Sequence, residues 1–107
     1  MPWDRGLAAR VADALPPLGA PHAHQKNVFG GRGFLLGKTT FAVVWDDGLL
    51  VKLASADYAP ALAEPGVTPF APDGERPMST WVVVSAESIA DDPELGVWLE
   101  RGLRSVR

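Results

Sequence analysis

Residues 32–53 constrain this chain most, because three apolar stretches are separated there by two tight-turn sequences. Gly37-Lys38 lies between residues 32–36 and 39–45, and a two-residue connection of that kind joins antiparallel neighbours. Asp46-Asp47-Gly48 follows, and its Asp-Gly pair suits the positive φ that a tight hairpin demands. Beyond it Leu49, Val51 and Leu53 alternate with Leu50 and Lys52, the period of a half-buried strand. Upstream, Gly30-Gly31 marks a bend or bulge that ends a first strand beginning near residue 23. The expectation is an antiparallel meander of three or four strands. Its alternation puts Phe41, Val43 and Trp45 on one face and Ala42 and Val44 on the other, with Leu50 opposed to Leu49 and Val51. Both faces are therefore apolar. One packs on helices; the other must be exposed, covered by the 67–78 segment, or buried against a partner.

Helical patterns bracket the meander. Trp3, Leu7, Val11 and Leu15 recur every four residues, predicting a helix over 3–15 that Pro16-Pro17 stops. A short helix follows the last strand of the meander, capped by Ser55 or Asp57, with Pro60 in its first turn and Pro65-Gly66 at its end. Tyr58, Ala61 and Leu62 face the sheet. Residues 67–78 read as an irregular or hairpin-like connection, and Trp81-Val82-Val83-Val84 as a central strand. The last helix is capped by Asp92 with Pro93 in the first helical position, and Leu95, Trp98, Leu99, Gly102, Leu103 and Val106 form its apolar stripe. The order α-β-β-β(-β)-α-β-α defines an α+β two-layer sandwich, an antiparallel sheet with helices on one face, as a single domain over residues 1–107.

Residues 28–41 approach two nucleotide-binding motifs and satisfy neither. Counting back five positions from Gly37 gives Arg32 where a P-loop needs glycine, and Gly31-x-Gly33 reaches its third glycine at Gly37, one position late for a dinucleotide fingerprint. Phe29, Gly30, Gly31 and Gly33 are thus expected to be structural, and no cofactor is implied. The chain has no cysteine, which excludes disulfides and thiolate metal sites and fits a cytoplasmic setting. No apolar run approaches the ~20 residues of a membrane span, so no membrane association is expected. The net charge of −3 is divided: residues 1–55 carry six cations against four acids, and residues 56–107 four against nine. An acidic chain with only Lys26, Arg32 and Lys38 clustered in sequence is a poor candidate for direct DNA binding.

Other candidate chemistry has simpler explanations. His22 and His24 are the only histidines and have no nearby carboxylate or thiolate with which to build a metal site. Asp46-Asp47 serves a turn, and Asp91-Asp92-Pro93-Glu94 a helix start. Ser79, Thr80 and Ser85 have no histidine partner that sequence can place, so no nucleophile–base pair is assembled and no enzyme is expected. Lys52 sits in an apolar strand, where it either faces solvent or needs a counter-charge. The four tryptophans, Trp3, Trp45, Trp81 and Trp98, are spread across the elements and read as core or interface anchors.

Residues 28–53, running from Val28-Phe29-Gly30-Gly31-Arg32-Gly33 to Leu50-Val51-Lys52-Leu53, resemble the signature of the TfoX N-terminal domain family. Gly66-Val67-Thr68-Pro69-Phe70 is similar to the Gly-x-x-Pro-Phe segment of that family. Met78-Ser79-Thr80-Trp81-Val82-Val83-Val84 is similar to its methionine–aromatic strand. Val28 stands where the family usually has methionine. The resemblance implies a secretion-chaperone-like sandwich and a link to TfoX/Sxy regulators of natural competence, which act with the cyclic-AMP receptor protein and carry a second, helical domain. The expected function is a non-catalytic regulatory or protein-interaction module with an unknown protein partner, by resemblance the transcription machinery, or a second copy in a homodimer. Its expected surface comprises Lys26, Arg32, Lys38, Val44, Leu50 and Lys52. The alternative is a small-ligand or nucleic-acid binder using the Lys26, Arg32 and Lys38 patch.

Overall fold

The computed structural model describes residues 3–107, so residues 1 and 2 of the expected 1–107 domain lie outside the described residues. Helix α1 spans Arg5–Ala14. Its start is set by Asp4, whose Oδ1 accepts the Leu7 N–H at 3.1 Å. The Asp4 N–H in turn donates to the Trp45 carbonyl at 3.1 Å, pinning the helix start to the sheet. Trp3, expected as the first helical residue, therefore precedes the cap. Leu7, Ala8 and Val11 are buried, as their spacing requires, and Pro16–Leu18 turn the chain in a 3-10 step.

Six strands follow: β1 (His24–Val28), β2 (Gly31–Leu36), β3 (Thr39–Val44), β4 (Gly48–Lys52), β5 (Val67–Pro69) and β6 (Trp81–Ser85). They form one antiparallel sheet in the order β1-β2-β3-β4-β6-β5. The first four are the expected meander, and Gly37-Lys38 is its second turn. Helix α2 (Ser55–Leu62) carries the chain from β4 to β5, and α3 (Asp92–Val106) closes it. Residues 67–69, expected as part of a connection, pair with β6 and become the second edge of the sheet.

The helices cover one face. Leu95, Trp98, Leu99 and Leu103 of α3 pack with Leu7 and Val11 of α1 on Phe34, Ala42, Val44, Leu49, Val51, Val82 and Val84. Burying a large aliphatic side chain contributes about 1.5–3 kcal/mol, so this continuous cluster dominates stability. Ion pairs Arg10–Asp92, Arg101–Glu64 and Arg104–Asp57 tie α3 to α1 and to the α2 region at 3.0, 2.7 and 3.0 Å. They lie at or near solvent and act mainly on register.

Three local expectations need correction. The β2–β3 register slips: Phe34 pairs with Ala42 but Leu35 with Thr40, leaving Phe41 as a bulge residue. The bulge turns Phe41 to the same side as Ala42 and Val44, beneath α3, so it does not share a face with Val43 and Trp45. In α2 the N-cap is Ala54 without a side-chain bond, and Pro60 falls at the sixth position. There its missing N–H removes an intrahelical bond, in keeping with so short a helix. In α3 the cap is Asp91, one residue earlier than expected, with Pro93 still in the first turn.

Candidate interaction surface

The second face of the sheet is not open. Val43, Leu50 and Trp81 are buried there under Phe70, with Val28, Trp45, Met78 and Val83 packed at the margin. The cover comes from the segment that links β5 to β6. The Phe70 N–H donates to the Trp81 carbonyl at 3.0 Å and extends the ladder by one residue. The Met78 N–H donates to the Phe70 carbonyl at 2.7 Å, closing the loop, and both residues join the cluster in which Leu50 is buried. Among the three alternatives for this face, the chain itself supplies the cover.

The glycine-rich segment meets this cluster. Phe29 and Gly30 form the two-residue turn between β1 and β2, with φ values of 54° and 74°. Two positive φ values are the signature of the hairpin turn whose twist matches its strands. Glycine adopts them freely, whereas a bulky L-residue there loses roughly 1–2 kcal/mol. Phe29 is nonetheless held by three neighbours. Its ring lies 5.8 Å from Phe70 and 6.2 Å from Trp81, and its carbonyl accepts the Trp45 indole N–H at 3.2 Å. The Trp45 and Phe70 rings meet edge-on at 5.4 Å. Aromatic pairs of this kind contribute about 0.5–1.5 kcal/mol each, enough to offset the strained turn. Half of Phe29 still remains exposed, at 49%.

Gly31 and Gly33 point into the same face. A Cβ on Gly31 would sit 2.5 Å from both the Trp45 ring and the Val44 carbonyl oxygen. One on Gly33 would sit 2.6 Å from a Val28 methyl. The spacing Gly-x-Gly thus lets an indole and a valine lie flat on β2. These are packing glycines whose outward space is filled, and no phosphate cradle opens above them.

The other residues singled out from sequence separate in space. Val44 and Leu50 are both fully buried, on opposite faces, so neither offers a side chain to a partner. Lys52 is half-buried at the end of β4 and pairs across the ladder with Trp81. Lys26 is exposed on β1, opposite Gly33 and on the aromatic side. Arg32 points to the helix side, where its Nε donates to Gln25 Oε1 at 3.0 Å and its Nη1 to Asn27 Oδ1 at 3.1 Å. It also lies over the Trp3 ring at 5.7 Å. Lys38 is exposed in the β2–β3 turn, at the other end of β2 from Phe29. The three cations therefore do not form one patch. Among the described residues no three His, Asp or Glu side chains are placed to hold a metal ion.

Two acid–base groups are displaced from their ordinary range. Hydrogen bonds from the Arg76 and Glu75 backbone hold the Asp73 carboxyl below its usual value, fixing the turn at the tip of the covering loop. The hydrogen bond and charge of Asp57 push the Arg104 guanidinium higher still.

Phe29 and Phe70 are the residues that sequence reasoning undervalued. The signal for Phe29 was a bulky aromatic directly before Gly-Gly at a strand end. Phe70 was visible only as part of a family segment.

The fold is a two-layer α+β sandwich with one helix-covered face and one loop-covered face. The sequence model of the TfoX N-terminal domain matches residues 13–106, and the chain belongs to that family. No curated protein matches its sequence. No described helix is long and apolar enough to cross a membrane.

Proposed function

We propose that this chain is a non-catalytic, cytoplasmic regulatory module that binds a partner protein through the β1–β2 hairpin and the rim of its aromatic cluster. The observation that carries the proposal is Phe29. Phe29 adopts a left-handed backbone that glycine or asparagine would take at lower cost, yet about half of the residue (49%) stays exposed instead of being buried in the cluster. Its ring sits beside Phe70 and Trp81 at the end of an exposed strand, a combination suited to anchoring a partner. Membership of the TfoX N-terminal domain family supports a regulatory setting and makes the transcription machinery the first place to look for the partner.

The alternative of a nucleic-acid or small-ligand site on Lys26, Arg32 and Lys38 is weakened by their separation: Lys26 and Arg32 face opposite sides of the sheet. Capture from lysate of the source cells, quantified for the wild-type protein and Phe29→Ala, tests the proposal. At least one protein should be retained by the wild type alone and should rebind after purification. Retention indifferent to Phe29, or no rebinding partner, would overturn it.

A further inference from the structure

The two edges of the sheet are not equivalent. β5 has three residues, ends in Pro69, and is followed by a phenylalanine that folds over the sheet. Shortness and proline blunt an edge. β1 has five residues, of which His24, Gln25, Lys26 and Asn27 are exposed, and it pairs only with β2. In a two-residue hairpin the closing pair, here Val28 and Gly31, exchanges both ladder bonds, and the pattern then alternates along the strand. The backbone groups of Lys26 and His24 consequently point inward to β2. Those of Gln25 and Asn27 point outward, leaving two N–H and two C=O groups available to an added strand.

The strands at this edge carry charge of one sign. No Asp or Glu occurs between Asp13 and Asp46, a span that holds all of β1, β2 and β3. Among the described residues the ion pairs all engage helix residues, and Lys26, Arg32 and Lys38 take part in none. Lys26 stands on the aromatic side of the edge, while Arg32, clamped by the Gln25 and Asn27 side chains, stands on the helix side. A nucleic acid lying on one face would meet only one of these cations. A β-strand laid beside β1 sends alternate side chains to both faces and meets both.

We propose that the β1 edge accepts an extended acidic segment of a partner protein as a seventh strand, with its acidic side chains beside Lys26 and Arg32 and an apolar one beside Val28 and Phe29. This rests on the interaction-module proposal and specifies the chemistry of its partner. A second copy fits less well, because an antiparallel β1–β1 pair centred on the strand places Lys26 against Lys26, and like charges directly opposite repel.

The test is isotope-edited NMR of the full chain with three probes: a capped peptide of threonine and valine carrying pairs of adjacent glutamates, which point to opposite faces of a strand, the same peptide with lysine for glutamate, and a single-stranded oligothymidylate. The glutamate peptide should slow exchange of the Gln25 and Asn27 amides while leaving Lys26 and His24 unchanged, and its affinity should fall as salt rises. Lys26→Glu should weaken it by roughly fivefold. Gln25→Pro, which removes an outward N–H without touching the ladder, should abolish the protection while the melting temperature confirms that the sheet persists. Equal binding of both peptides, tighter binding of the oligonucleotide, protection without any peptide from a dimer seen by light scattering, or no protection at all would each overturn the proposal. Any of those results, with capture still dependent on Phe29, would leave the interaction module standing and remove only the acidic strand.

Discussion

The two faces of the sheet are covered by different means. On one, two amphipathic helices lay a continuous apolar stripe over seven sheet side chains from β2, β3, β4 and β6. On the other, a loop and a hairpin turn bring a handful of aromatic and sulfur-containing side chains over Val43, Leu50 and Trp81. Both sets of buried residues are shut off from water, but the loop-covered set depends on a few rings carried by a loop and a turn. A cover of that kind relaxes more readily and leaves its rim, at Phe29, available. Stability thus belongs mainly to the helix side, and the proposed recognition surface lies on the loop side.

Truncations on the two faces put this difference to the strongest test. Leu99→Ala, under the helices, should cost about 4 kcal/mol in chemical denaturation, and Leu50→Ala about 2 kcal/mol, because the loop can collapse into the space. Equal losses would remove the distinction. Gly31→Ala should cost about 3 kcal/mol, since the new methyl meets a backbone oxygen as well as the Trp45 ring. A variant as stable as the wild type would show that the loop-covered face accommodates even backbone displacement.

Smaller changes sharpen the contrast. Trp45→Phe removes the indole bond to the Phe29 carbonyl and should cost about 1 kcal/mol while raising hydrogen exchange at the Phe29–Gly30 turn. Acid should loosen the turn at the tip of the covering loop. The Asp73 carboxyl titrates below its unfolded value because of the hydrogen bonds it accepts from Arg76 and Glu75. Its contribution is therefore complete above about pH 4 and is lost as pH falls through the folded value. Exchange at the Glu75 and Arg76 amides, followed as the pH is lowered, reports this directly. Finally, ATP and GTP at millimolar concentration should produce no thermal shift. Two of the glycines that resemble a phosphate loop, Gly31 and Gly33, are covered by Trp45 and Val28. Saturable stabilisation by either nucleotide would mean that this cover opens.

Much of the architecture was legible beforehand. The alternation of Leu49 to Leu53, the Gly37-Lys38 turn and the spacing of Leu95, Leu99 and Leu103 each encode their element locally, and each appears in the fold. The site was less legible. Lys26, Arg32 and Lys38 are close in sequence but are dispersed by a hairpin that sends neighbours to opposite faces. Val44 and Leu50 looked available because alternation reveals which side chains share a face, not what lies above it.

The sequence by itself determined the elements, their turns and the need for two apolar faces, because backbone periodicity and turn chemistry act over a few residues. Only the tertiary structure decided where Phe41 points, that residues 67–69 become an edge strand, and that Phe70 and Met78 join the cluster that buries Leu50. Those outcomes depend on contacts between segments far apart in the chain. A bulge, a strand pairing or a loop cover is chosen by what the distant segment can bury, and no local pattern carries that information.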